Sequence, residues 1–398
     1  MDFYAQPAFF VLLAIAIIPA AILGATERRI KPYGLAVSIV FIVLLFSRNL
    51  PGLAALLISL SIATAATFSY QRLLRHREHT AEPKKKGSAP PPAWPFLLAI
   101  IAPLVCYKIG AVFNRDILGF IGISYITFKM VQVLLELRDG VIPKIHLSDY
   151  LYFLLFFPPF TSGPIDRSRR FGSDADAVPS SSQYLDLLGK GLLLILVGVL
   201  YKVVISALIF DFYSWMPTRS TTPLLDAAIA FKNMYAYGLY LFFDFAGYSL
   251  MAMGAGYCFG IRVPRNFRAP FAAVDIKDFW NRWHITLSTW LRDFVFMRFT
   301  RLAIKRRWFS SRVTPACMGY LLNMALMGAW HGLTPSYLTY GFYHGILLAI
   351  TEVYQRKSAF HKRHRDKGWY RLASWAITIN AVFFGFAIFS GQVLGWLS

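Results

Sequence analysis

The residue in this sequence best placed to do chemistry is a histidine between glycines inside an apolar stretch. It is His331, in Met327-Gly328-Ala329-Trp330-His331-Gly332-Leu333. Polar side chains within apolar segments are costly and are functional candidates by default. The flanking glycines permit close backbone approach. No carboxylate lies near it in sequence, and a neutral imidazole in an apolar cavity can act as general base toward a hydroxyl. The competing reading from spacing alone is a hydrogen-bonded structural histidine.

A second candidate is His284, within Asp278-Phe279-Trp280-Asn281-Arg282-Trp283-His284-Ile285-Thr286-Leu287-Ser288-Thr289-Trp290-Leu291-Arg292-Asp293-Phe294. At 100° per residue, Phe279, Trp280, Trp283, Leu287, Trp290, Leu291 and Phe294 share one face. Asn281, Arg282, Ser288, Thr289, Arg292 and Asp293 share the other. That pattern predicts a continuous interfacial amphipathic helix with tryptophan anchors, with His284 at the edge of its apolar face. His344, in Tyr343-His344-Gly345, also fits a packed polar residue facing a neighbouring helix. His76, His79, His361 and His364 fall in basic loops and read as solvated. Asp244, in Phe242-Phe243-Asp244-Phe245, is an intramembrane acid expected to pair with a buried donor. No nucleotide-binding glycine loop, zinc spacing or nucleophile elbow is present, so an activated donor would have to come from elsewhere. The three cysteines lie in or beside apolar segments and read as buried structural residues.

The elements that must hold these residues are membrane helices. Of 398 residues 57% are hydrophobic and only 15% charged, with a mean hydropathy of +0.49. A soluble domain needs a far more charged surface. Apolar segments run over 7–24, 33–46, 52–70, 96–113, 117–135, 149–162, 186–210, 225–260, 316–333, 337–354 and 372–397, several of them near the roughly 20 residues that span a bilayer. The first lacks a basic leader and a cleavage site and reads as a retained helix. Segment 149–162 is short, contains Pro158-Pro159 and reads as re-entrant or broken.

A net charge of +21 would suggest nucleic acid in a soluble protein. Here the cationic residues gather in the loops 25–33, 71–95, 136–148, 163–172, 261–312 and 355–371, twelve of them in 261–312 alone. That asymmetry puts those loops on the cytoplasmic side, facing anionic lipid, with about ten crossings and both termini outside. The stretch 82–92 reads as a flexible basic linker. The whole chain, 1–398, reads as one all-α transmembrane domain, with 71–95 and 261–312 as its cytoplasmic basic regions.

Three motifs carry a resemblance. Phe157-Pro158-Pro159-Phe160-Thr161-Ser162-Gly163-Pro164-Ile165-Asp166-Arg167 is the first. Asn266-Phe267-Arg268-Ala269-Pro270-Phe271 leading into Asp278–His284 is the second, and Met327–Gly332 the third. Together they resemble the membrane-bound O-acyltransferase (MBOAT) family across nearly the whole chain. Ser162–Phe171 and Arg292-Asp293-Phe294-Val295-Phe296-Met297-Arg298 are similar to its branch that attaches D-alanine to teichoic acid.

The resemblance implies a ring of about ten to eleven helices, with re-entrant and interfacial helices, around a thin centre with a tunnel. It implies that His331 is the catalytic histidine and His284 the family's second motif position. It implies a donor held as a phosphopantetheine thioester on an acidic D-alanyl carrier protein, an extracytoplasmic partner in D-alanylation, and no cofactor held by this chain. Trp280, Trp283, Arg298, Arg301, Lys305 and His344 are then candidates for tunnel lining or carrier docking. The expected activity is D-alanyl transfer toward lipoteichoic acid. Alternatives are an alginate-type exopolysaccharide O-acetyltransferase, a transporter or flippase, and a non-catalytic scaffold.

Overall fold

The computed structural model describes residues 3–80, 90–215, 222–311 and 313–397. The basic linker at 82–92 therefore lies largely outside the described residues. Among the described residues the structure is helical and no strand occurs. Five helices are long and apolar enough to cross a membrane: Pro7–Ala25, Leu50–Arg77, Trp94–Val112, Ser181–Ser214 and Gly368–Phe389. The Lys31–Phe46 helix is apolar but shorter. The apolar surface of these spans is outward. Leu193, Leu196 and Leu208 on Ser181–Ser214 are each 60% exposed or more. Such a surface is stable only against hydrocarbon, so the protein is integral to the membrane.

The described chain forms two compact units. The first comprises residues 1–197 and 249–264. In it the 149–162 segment is a nine-residue helix, Leu147–Leu155, followed by turns. The break follows from Pro158-Pro159, which can neither donate to a helical carbonyl nor tolerate a helical residue before them. The freed backbone is used: buried Lys129 of the Ile123–Arg138 helix donates to the Phe153 carbonyl at 3.0 Å. Nearby, Arg170 holds buried Asp166. Cys106, expected to be buried, is exposed on the Trp94–Val112 span, while Cys258 is buried and Cys317 half-buried. A thiol behaves as a small apolar group and is tolerated on a lipid-facing surface.

The second unit comprises residues 198–248 and 265–398 and contains all three singled-out histidines. Stretch 225–260 is a single helix, Pro223–Cys258, whose residues up to 248 belong here. Asp244 on it pairs with Lys202, as its cost in an apolar segment requires. Lys202 sits in a π-helical turn, Leu200–Ile205.

Candidate active site

His331 is the last residue of the Thr314–His331 helix. That helix lies against Pro335–Lys357 at a distance only glycine allows. A Cβ added at Gly328 would stand 2.4 Å from the Tyr337 carbonyl oxygen and 3.1 Å from the Gly341 Cα. One on Gly341 would stand 2.5 Å from the Met324 carbonyl oxygen. The glycine before His331 in its motif thus sets the helix spacing. The one after it, Gly332, lets the chain leave the helix beside the Tyr337 ring.

The half-buried His331 imidazole has an aromatic wall. Phe389 lies 4.9 Å away between ring centroids, Tyr337 5.9 Å and Tyr340 6.3 Å. Neither tyrosine was singled out in the sequence. The signal was present, since Tyr337, Tyr340 and His344 recur at helical spacing on one face.

His284 departs from the expectation. The predicted continuous amphipathic helix over 278–294 is absent. Helix Ile276–Trp280 ends, a turn follows, and a second helix runs over Ile285–Leu291. His284 occupies the break with φ 46° and ψ 50°, a left-handed conformation. Such strain costs on the order of 1–3 kcal/mol outside glycine, and histidine is among the residues that tolerate the region better.

Buried Asn266 holds the turn. Its carbonyl accepts from the Ile285 amide at 2.8 Å. Its side-chain oxygen accepts from the Thr286 hydroxyl at 2.5 Å and the Thr286 amide at 3.4 Å. Helical periodicity does not reveal the break, because buried Phe279, Trp280, Trp283, Leu287, Trp290 and Leu291 keep a helical spacing across it. Asn266 was visible in the motif but carried no chemistry of its own.

Both tryptophans of this segment lie inward. Trp280 and Trp283 are 8% and 5% exposed, so they are core residues and not interfacial anchors. Trp283 stacks on Phe279 at 5.5 Å and meets Phe386 at 4.9 Å. The His284 ring is buried and meets Phe245 at 4.8 Å and Trp330 at 6.1 Å. Trp330 in turn contacts His331 at 4.5 Å, so one indole touches both imidazoles. Burial first, and the neighbouring His331 second, push the His284 pKa down to about 3. His284 is therefore neutral at physiological pH. A neutral His284 places no cationic charge beside His331.

His344 is fully buried, against Trp280 at 5.2 Å and Tyr340 at 4.7 Å. It fills the space left by Gly385 on the Gly368–Phe389 span, where a Cβ would stand 2.4 Å from Nε2. Tyr340 thus bridges His344 and His331 by ring contact.

The basic candidates separate. Arg301 and Lys305 are exposed on the Met297–Lys305 helix. Arg298 is half-buried, its guanidinium 5.7 Å from the Phe294 ring centroid, so it is less accessible than Arg301 and Lys305. A long cationic side chain can lay its stem and head along an aromatic face. Near the tryptophans, Lys277 pairs with buried Glu352, tying Ile276–Trp280 to Pro335–Lys357.

Comparison with known proteins bears on this arrangement. The profile of the membrane-bound O-acyltransferase family matches residues 61–391. The chain is 38% identical to the teichoic acid D-alanyltransferase of Bacillus subtilis (strain 168), over 98% of each chain. It is 36% identical to the teichoic acid D-alanyltransferase of Lacticaseibacillus rhamnosus, over 98% of this chain and 96% of the relative. A probable alginate O-acetylase of Pseudomonas syringae is 31% identical over 69% of this chain and 49% of its own. The matched region contains the His284 turn, the glycine-spaced helix pair and His331, and this chain belongs to the membrane-bound O-acyltransferase family.

Proposed function

We propose that this protein is an O-acyltransferase that moves D-alanine from a carrier-protein thioester toward teichoic acid. The observation that carries the substrate is end-to-end similarity. Relatives named as teichoic acid D-alanyltransferases match 98% of this chain and at least 94% of their own. The alginate relative matches about half of its own length.

His331 is the general base in this reading. It takes the proton of an acceptor hydroxyl as that oxygen attacks the thioester carbonyl carbon. The carbon–sulfur bond breaks, and the imidazolium returns the proton to the departing thiolate. The products are an ester and a free carrier thiol, with no net proton change. Neutral His284, behind Trp330, supports a transient charge on His331 and helps line the path of the pantetheine arm.

The basic loops face the cytoplasm, both termini lie outside, and an acidic carrier docks on the cytoplasmic face. An extracytoplasmic partner receives or relays the D-alanyl group. The purified protein in liposomes, supplied with carrier loaded with D-alanine or with acetyl, tests the substrate. D-alanyl consumption with little acetyl consumption is expected; the reverse preference would overturn it.

A further inference from the structure

We infer that the second unit binds an anionic phospholipid in a cleft at the start of the Gly368–Phe389 span. The cleft holds about 720 Å³, within the roughly 300–1,000 Å³ typical of small-molecule sites. Neither His284 nor His331 lines it. The inference stands apart from the acyl-transfer reading.

The lining changes character along the cleft. At one end are the guanidinium groups of Arg365 and Arg371. At the other are Leu347, Ile377 and Ala381. Ala381 is thirteen residues beyond Gly368, or roughly 20 Å along a helix. That reach runs from a headgroup layer well into a hydrocarbon core about 30 Å thick. Ile377 is 72% exposed on a helix that crosses the membrane, so the apolar end opens to acyl chains. Phe360 and Trp369, each about half exposed and 6.1 Å apart between centroids, stand at the mouth. Amphipathic aromatic rings belong at that depth.

The charge favours phosphate. Residues 355–371 contain seven Lys and Arg against one acid, Asp366. Asp366 is 92% exposed and 3.5 Å from Arg365, a contact of little strength in water. The other acid in the cleft, Asp275, is already used. It caps its own helix through the Asp278 amide at 2.8 Å and accepts from Gln355 at 3.0 Å. The guanidinium of Arg371 makes no hydrogen bond or ion pair among the described residues. His361, which the sequence suggested was solvated, is turned inward and bonds the Tyr370 hydroxyl at 2.9 Å, bracing the mouth. A planar guanidinium matches phosphate oxygens in a bidentate fork. A soluble protein partner would not supply the apolar end, which lies within the span.

The test uses the full-length protein in neutral detergent, with lipid retention read by native mass spectrometry and stability by thermal melting. The probes are phosphatidylglycerol, phosphatidylcholine and inorganic phosphate. Phosphatidylglycerol should be retained over phosphatidylcholine and should raise the melting temperature, while phosphate alone should do neither. Removing each guanidinium–phosphate contact should weaken binding about fivefold, so Arg365→Glu with Arg371→Glu should weaken it by at least about twenty-fivefold.

Ile377→Trp, which fills the apolar end, should exclude lipid without altering charge. It keeps the inference testable if the double reversal does not fold. Arg363→Glu, exposed on the Ala359–His364 helix and absent from the cleft lining, should change binding less than about twofold. Equal retention of phosphatidylcholine, saturation by phosphate alone, or an equal loss in Arg363→Glu would each overturn the site.

Discussion

The Gly328–Gly341 contact offers a quantitative perturbation of the candidate active site made without touching any polar side chain. In Gly328→Ala the new methyl would stand 2.4 Å from the Tyr337 carbonyl oxygen and 3.1 Å from the Gly341 Cα. Optimal carbon contacts lie near 3.5–4 Å, so the two helices must separate by roughly 1 Å. Neither neighbour is a flexible side-chain end that can swing aside. Overpacking of this kind costs about 1–3 kcal/mol, while replacing glycine within a helix returns about 0.5–1 kcal/mol. The overpacking term wins, and a net loss of about 1–2 kcal/mol is expected. Because His331 is three residues on, its imidazole moves with the helix. A displacement near 1 Å can cost about a hundredfold in rate.

Thermal melting in detergent and single-turnover transfer from a loaded carrier measure the two effects. Gly341→Ala should behave alike, and the double variant should be less than additive, since both substitutions force the same helix separation. The control is Gly189→Ala, where the added methyl meets nothing within 4 Å. It should be neutral or slightly stabilising. Gly328→Ala with unchanged melting temperature and unchanged rate would refute the claim that this glycine pair sets the position of His331.

Other outcomes follow from the same geometry. Asn266→Ala should cost about 1–3 kcal/mol by leaving the buried Thr286 hydroxyl and amide without their acceptor, and should lower activity more than Thr286→Val, as measured by melting and turnover. A cysteine placed at Asp366, in a variant lacking the three native cysteines, should resist an impermeant thiol reagent in intact cells and react after permeabilisation; labelling of intact cells would reverse the topology. Charge reversal at exposed Arg301 and Lys305 should weaken carrier binding in neutral detergent, with wild-type binding falling as salt rises. Unchanged affinity in both series would move the docking surface elsewhere.

The sequence made the membrane class legible because hydrophobic runs and cationic loops obey constraints set by the bilayer itself. His331 stood out as a candidate for the same reason: a histidine between glycines in an apolar run is costly. The break before Pro158-Pro159 and the partner for Asp244 also followed from local chemistry. The turn at His284 did not. Buried residues keep a helical spacing across it, so the periodicity of 278–294 reads as one helix, and the turn is held by Asn266, twenty residues from Thr286. Gly385 was hidden differently, since its role comes from which helices pack together, and pairing between distant segments is not written in either one.

The most direct measurement of the central claim is single-turnover transfer of radiolabelled D-alanine by purified His331→Ala and His331→Asn proteins in liposomes. Folding is verified by melting, and carrier binding is measured separately. Loss of a general base should lower the transfer rate by about a hundredfold to ten-thousandfold while carrier affinity stays within about twofold of wild type. Transfer at the wild-type rate in either folded variant would contradict the assignment of His331 as the base.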